Sequence, residues 1–276
     1  MFKSNTTTRY SSFGEILTAQ LIVLHESCFT TGVTASSDYT ISGTHSIVNS
    51  LLNISTSGVD TSASYITSEQ FREPFVNGVM CRFSAIFDTP KIGTKQYAGM
   101  GNSQNGFFFG YNGTQFGILY KKGGVETWLR FQDLDNADLY NDFNQHKGNI
   151  YEITMQEYGF GCVFFSVYNR ENCTMDIVHT LKFVSRLNAP FVDNPYFSLY
   201  AYVETNGTGE NVTLKLGRNT LAIENNTSSV GVTLLGDVNV DTATLENINS
   251  LGNNIGTTGN TLSTISNNIG TTQISL

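Results

Sequence analysis

The chain has 276 residues, of which 39% are hydrophobic, 12% aromatic and only 14% charged, so it holds enough apolar material for a packed core and too much for wholesale disorder. Its net charge is −8 and its largest basic cluster is Lys121-Lys122, which argues against a phosphate-tracking surface and against nucleic acid as a partner. The longest early apolar run, Leu21 to Leu24, falls far short of the ~20 residues that span a bilayer, so no membrane partner is expected.

Residues 1–13 read as an N-terminal arm without the apolar stretch of an ordinary secretory leader. Gly14 to Leu24 and Thr40 to Ile54 look strand-like. From Val79 onward, alternation of period two dominates, and each run predicts one strand with a dry face and a wetter face. The apolar partners are Val79, Cys81, Phe83, Ala85 and Phe87, then Tyr151, Ile153 and Met155, then Ile177, His179 and Leu181. Phe197, Leu199, Ala201 and Val203 follow, and Val212, Leu214 and Leu216 close the series. Asn-Gly pairs at 77, 105, 112 and 206 supply turn chemistry between the runs. Many short strands with such punctuation predict an all-β head over 14–228, an antiparallel β-sandwich of jelly-roll or concanavalin-like type.

Few residues point to chemistry. No histidine sits in a metal-pair spacing, and His179, on an apolar strand face, reads as a core or interface residue. Asp133, Asp135 and Asp138, with Asp142, form a loop-like acidic stretch and weak metal candidates; Ala137 stands where a calcium loop would place a ligand, so a solvated loop is the simpler reading. There is no nucleophile elbow, P-loop or dinucleotide fingerprint, and the chain reads as a non-enzyme without a cofactor. The four cysteines read as reduced thiols, with a Cys162–Cys173 pair across a hairpin as the alternative. Aromatic residues stack on sugar rings, and Trp128 is the candidate glycan-stacking residue; packing within the sheets is the competing reading. Eight Asn-x-Ser/Thr sequons, among them Asn53, Asn112, Asn206 and Asn211, are unsurprising in a chain this rich in Asn and Thr.

Composition changes near Asn225. In residues 229–276 aromatic residues vanish, and Ile248, Ile255, Leu262, Ile269 and Leu276 recur every seven residues. Leu251 and Ile265, with Thr258 and Thr272, fall three residues later, an a/d heptad pattern. Gly256 and Gly270 each cost about 1 kcal/mol of helix propensity relative to Ala, so a helix here would need partner chains. The segment is read as an extended or coiled-coil stalk or anchor, with a disordered Asn/Thr-rich tail of accidental spacing as the alternative. Ile248, Leu251, Ile255, Leu262, Ile265 and Ile269 are the candidate oligomerisation residues, and a homotrimer is the expected state.

One stretch is distinctive. Gly106-Phe107-Phe108-Phe109-Gly110-Tyr111-Asn112-Gly113-Thr114-Gln115-Phe116-Gly117-Ile118-Leu119 reads physically as a hairpin turning at Asn112-Gly113, its glycines making room for bulky rings. It also resembles a module of virion structural proteins, fibre- or capsid-associated, from large DNA viruses and bacteriophages. The resemblance runs through Ala98-Gly99-Met100-Gly101-Asn102, Gly123 to Trp128, Asn149 to Tyr151, Tyr158 to Gly161, Val178 to Lys182 and Asn211 to Lys215, with Arg9 to Glu15 as its opening. It implies a virion component, made in the host cytoplasm, that acts in assembly beside other capsid proteins and in host attachment. It carries no catalytic residues. The alternative function is a lectin-like carbohydrate-binding module that recognises a host-surface glycan.

Overall fold

A computed structural model describes residues 20–29, 39–70, 78–140, 143–155, 161–182, 196–207 and 210–225. The chain divides into two units, residues 1–227 and 228–276. The second unit, with Ile248, Leu251, Ile255, Leu262, Ile265 and Ile269, lies outside the described residues, as does the 1–13 arm.

Among the described residues there are fifteen strands, two short 3₁₀ turns and no α-helix. No helix there is long and apolar enough to cross a membrane. The first sheet contains β1 (Gln20–Ser27), β3 (Thr44–Val48), β4 (Leu51–Ser55), β6 (Val79–Ile86), β11 (Asn149–Met155), β12 (Cys162–Asn169), β13 (Thr174–Lys182) and β15 (Thr213–Asn225). Its order is β13-β12-β11-β6-β15-β4-β3, and β1 also pairs with β15. The second sheet contains β2 (Tyr39–Ser42), β5 (Ser62–Thr67), β7 (Thr94–Gly101), β8 (Gly106–Asn112), β9 (Gln115–Lys122), β10 (Val125–Arg130) and β14 (Ser198–Thr205), in the order β10-β9-β8-β7-β14-β5-β2. All the pairings are antiparallel.

The predicted alternation places the core. Phe83, Tyr151, Ile153 and Phe165 of the first sheet and Ala98, Phe107, Phe109 and Leu199 of the second are fully or almost fully buried in one cluster. Rings meet across the two layers: Phe109 lies 5.0 Å from Tyr151 and 5.4 Å, edge-on, from Phe165. This is the two-layer sandwich in which each sheet turns one face inward and leaves the other outside.

Local structure departs from the sequence reading in three places, and at the cysteines it decides between the two readings. The run from Thr40 to Ile54 is three strands, broken at Gly43 (φ +82°) and at Asn49-Ser50 (φ +53° and +59°), a two-residue turn with both central residues left-handed. The β8–β9 hairpin turns on Gly113-Thr114, one residue later than read, because Asn112 still pairs with Gln115 and Gly113 supplies the positive φ of +59°. In β13 a bulge opposite Phe165/Ser166 shifts the register, so Val178 is the fully buried residue and Ile177 and His179 are half-buried. Cys162 pairs with Lys182 at one end of the β12–β13 hairpin while Cys173 occupies the turn at the other end. That arrangement cannot be bridged, and all four cysteines are free thiols.

Candidate outer-face binding site

Alternation leaves the second set of side chains on the outside of each sheet. On the first sheet this face carries Arg82, Ser84, Asn53, Ser55, Thr213 and Lys215, polar residues that suit a solvated surface, with Arg82 paired to Glu152. On the second sheet it carries Tyr97 from β7, Phe108 from β8, Leu119 from β9, Trp128 from β10, Tyr200 and Tyr202 from β14 and Ile66 from β5. These residues form a hydrophobic cluster of their own, separate from the core between the sheets.

The cluster has two levels. Tyr97 (1% exposed), Phe108 (0%), Leu119 (0%) and Tyr200 (6%) form its buried base, and Ile66, Trp128 and Tyr202 are half-buried above it. Tyr97 is the hub, with ring centroids 5.0 Å from Phe108, 5.3 Å from Tyr202, 6.2 Å from Tyr200 and 6.3 Å from Trp128. Glycine makes this possible. Gly110 is the cross-strand neighbour of Tyr97, and a Cβ built there would stand 2.5 Å from the tyrosine Cβ.

Charges surround the rings. Lys95 Nζ lies 3.0 Å from Glu126 Oε2 and 3.2 Å from Glu204 Oε1. Lys121 Nζ lies 3.4 Å from Glu126 Oε1 and donates to the Tyr97 hydroxyl at 3.3 Å. The Trp128 indole N–H donates to Glu126 Oε2 (3.2 Å), and the Tyr202 hydroxyl donates to Glu204 Oε2 (2.9 Å). The side chains of Lys95, Glu126 and Glu204 remain about a quarter exposed, at 29%, 24% and 26%.

Protonation follows from these contacts. Burial by itself raises the Glu126 pKa, but hydrogen bonds from Lys95 and Trp128 outweigh it and hold the carboxyl below its ordinary value. Burial lowers Lys95, and Glu126 and Glu204 more than restore it, leaving the ammonium above its ordinary value. Burial, then Glu204, pushes the Tyr202 phenol up to about 12, so it remains a hydrogen-bond donor. The face therefore presents aromatic surface beside two glutamates and the two lysines paired with them.

The sequence candidates fall in different places. Trp128 is in this cluster. Asp133 pairs with Arg130 (2.8 Å), and Asp135 accepts from the Thr180 backbone N–H (3.0 Å) with His179 Nδ1 at 3.0 Å. Asp138 is the second residue of the 3₁₀ turn Ala137–Tyr140, and Asp142 lies outside the described residues. Among the described residues no group of three His, Cys, Asp or Glu side chains is placed to hold a metal ion. Sequence reading missed Tyr97, Tyr200, Tyr202, Lys95, Lys121, Glu126 and Glu204. The signal was present in β14, where Ser198, Tyr200, Tyr202 and Glu204 occupy the strand's supposedly wet face.

No protein-family model matches the sequence, and no curated protein is significantly similar to it. Solved structures share the fold. The CBM2 module of the evolved Dit of Lactobacillus casei BL23 phage J-1 superposes with a TM-score of 0.53 at 12% identity, covering 76% of this chain and 99% of that one. The catalytic domain of an endo-1,3-beta-glucanase (laminarinase) from Thermotoga petrophila RKU-1 gives the same TM-score and identity, covering 75% of this chain and 100% of that one. The Emp47p carbohydrate recognition domain gives 0.48 at 7% identity, covering 72% and 94%.

Proposed function

We propose that the chain is a carbohydrate-binding β-sandwich module whose site is the outer face of the second sheet. The observation that carries this reading is the half-buried Trp128 and Tyr202 standing over the buried Tyr97 base, with Glu126 and Glu204 beside them. Aromatic faces pack on the C–H faces of pyranose rings, and carboxylates accept from sugar hydroxyls, so one surface offers both kinds of contact. The fold shared with a phage CBM2 module supports the reading.

A glycan-cleaving enzyme on the same sandwich is the second reading, favoured by the fold shared with the laminarinase domain. Glycoside hydrolysis needs one carboxyl held protonated by a raised pKa. Glu126 is shifted the other way, which removes it from that acid role. The biological setting we propose is a virion component acting in assembly and host attachment, trimeric through the heptads of residues 229–276. This rests on the sequence resemblance and the repeat pattern, and the phage origin of one module of the same fold is in keeping with it.

The test is a glycan array probed with the full chain and with Trp128→Ala and Tyr202→Ala. The expected result is binding that either substitution abolishes. Binding that survives both would move the site elsewhere, and release of reducing sugar from any bound polysaccharide would favour the enzyme.

A further inference from the structure

We infer that the outer-face site selects neutral glycans and rejects acidic ones, because its two lysines are already committed to its two glutamates. This rests on the carbohydrate-binding reading and concerns the class of sugar.

The argument is a count of charges and donors. Lys95 stands between Glu126 (3.0 Å) and Glu204 (3.2 Å), and Lys121 lies between Glu126 (3.4 Å) and the Tyr97 hydroxyl (3.3 Å). Two positive and two negative side chains sum to zero within the cluster, in a chain whose net charge is −8. A uronate, sialate or sulfate entering here finds no uncommitted cation. It must either displace a carboxylate from a lysine or sit beside one, and like charges a few ångströms apart in a partly desolvated site repel strongly.

Neutral sugars meet the opposite situation. A carboxylate has about four acceptor positions, and the bonds given above leave some on Glu126 and Glu204 free to take hydroxyl donors. Trp128 directs its indole N–H to Glu126, which ties the stacking ring to the carboxylate that would receive those hydroxyls. The lysines therefore hold the acceptors in place, and they do not serve as an anion receptor.

The experiment measures calorimetric affinities of the full chain for neutral hexasaccharides (β-1,3-glucan, cellohexaose and chitohexaose) and for acidic ones (oligogalacturonate and a sialylated oligosaccharide). At least one neutral ligand is expected to bind, with its affinity steady from about 0.05 to about 0.5 M salt, and the acidic ligands at least about tenfold more weakly. The double variant Glu126→Gln/Glu204→Gln frees both lysines. It is expected to lose neutral affinity and gain acidic affinity that falls with salt. The single Trp128→Ala change, which leaves the charges in place, should weaken neutral binding without admitting acidic ligands. Acidic binding by the wild type, equal to or tighter than neutral binding, would overturn the inference and leave the carbohydrate reading standing. Failure of both classes to bind a chain that circular dichroism shows to be folded would overturn both.

Discussion

Gly110 shows how one missing side chain shapes the site. A Cβ there would stand 2.2 Å from Gln96 O and 2.5 Å from Tyr97 Cβ on the neighbouring strand, so Gly110→Val would force β7 and β8 to shift under the cluster. Overpacking of this kind costs about 1–3 kcal/mol, and a lowered thermal midpoint with weakened glycan binding is the expected outcome. The ionised pair beside the ring makes a prediction about pH. Glu126 lies below its ordinary value of 4.5, so its stabilising contribution is complete above that pH and is lost as the pH falls through the lower folded value. Lys95 lies above its ordinary 10.5, so its contribution is complete below that value and is lost as the pH rises through the folded one. Thermal midpoints measured from pH 5 to pH 3, at about half-unit steps, should fall less steeply for Glu126→Gln than for the wild type. Little of this was legible in the sequence. Trp128 could be named as a stacking residue, but its partners Tyr97, Lys95 and Glu204 come from strands β7 and β14, and nothing local announces that these two strands are neighbours.

At the scale of strands the sequence was far more informative, because alternation is a local property that burial enforces. Val79 to Phe87, Tyr151 to Met155 and Phe197 to Val203 all turn inward the residues their pattern predicts. Phe109, deep in that inner layer, touches Tyr151 and Phe165 across the sandwich, and Phe109→Ala should cost about 3–5 kcal/mol in urea unfolding. The pattern failed where geometry interrupts it. The bulge in β13 moved Val178 into the core in place of His179, and the Asn49-Ser50 turn has no Asn-Gly to mark it. The acidic stretch has a structural task that its composition does not reveal. Asn136 donates through its backbone N–H to Val178 O (3.1 Å) and through its side chain to Ile177 O (2.9 Å), while Asp135 accepts from the Thr180 N–H. These bonds occupy the outer edge of β13, which would otherwise be open to pairing with another chain. The double change Asp135→Ala/Asn136→Ala should therefore produce association that grows with concentration in sedimentation velocity, with the sandwich itself still folded.

For the whole molecule, the function proposed above gives the two units separable contributions to attachment. A site built on one sheet face engages a few sugar rings, and such contacts are weak singly. Linking three copies through residues 229–276 would turn the second and third binding events into intramolecular ones, raising avidity by about 100-fold or more without any new contact. The heptad residues and the aromatic face should then respond to different substitutions. Ile255→Asp/Ile269→Asp places charge at two a positions and should reduce the light-scattering mass from three chains to one. The same variant should keep the affinity of the wild type for a soluble oligosaccharide in calorimetry and lose most of its retention on a dense glycan surface. Trp128→Ala should do the reverse, leaving the mass at three chains and removing both kinds of binding. An unchanged mass in the double variant would overturn the heptad reading. A loss of soluble-ligand affinity in that variant would mean that the binding face is completed by a neighbouring chain.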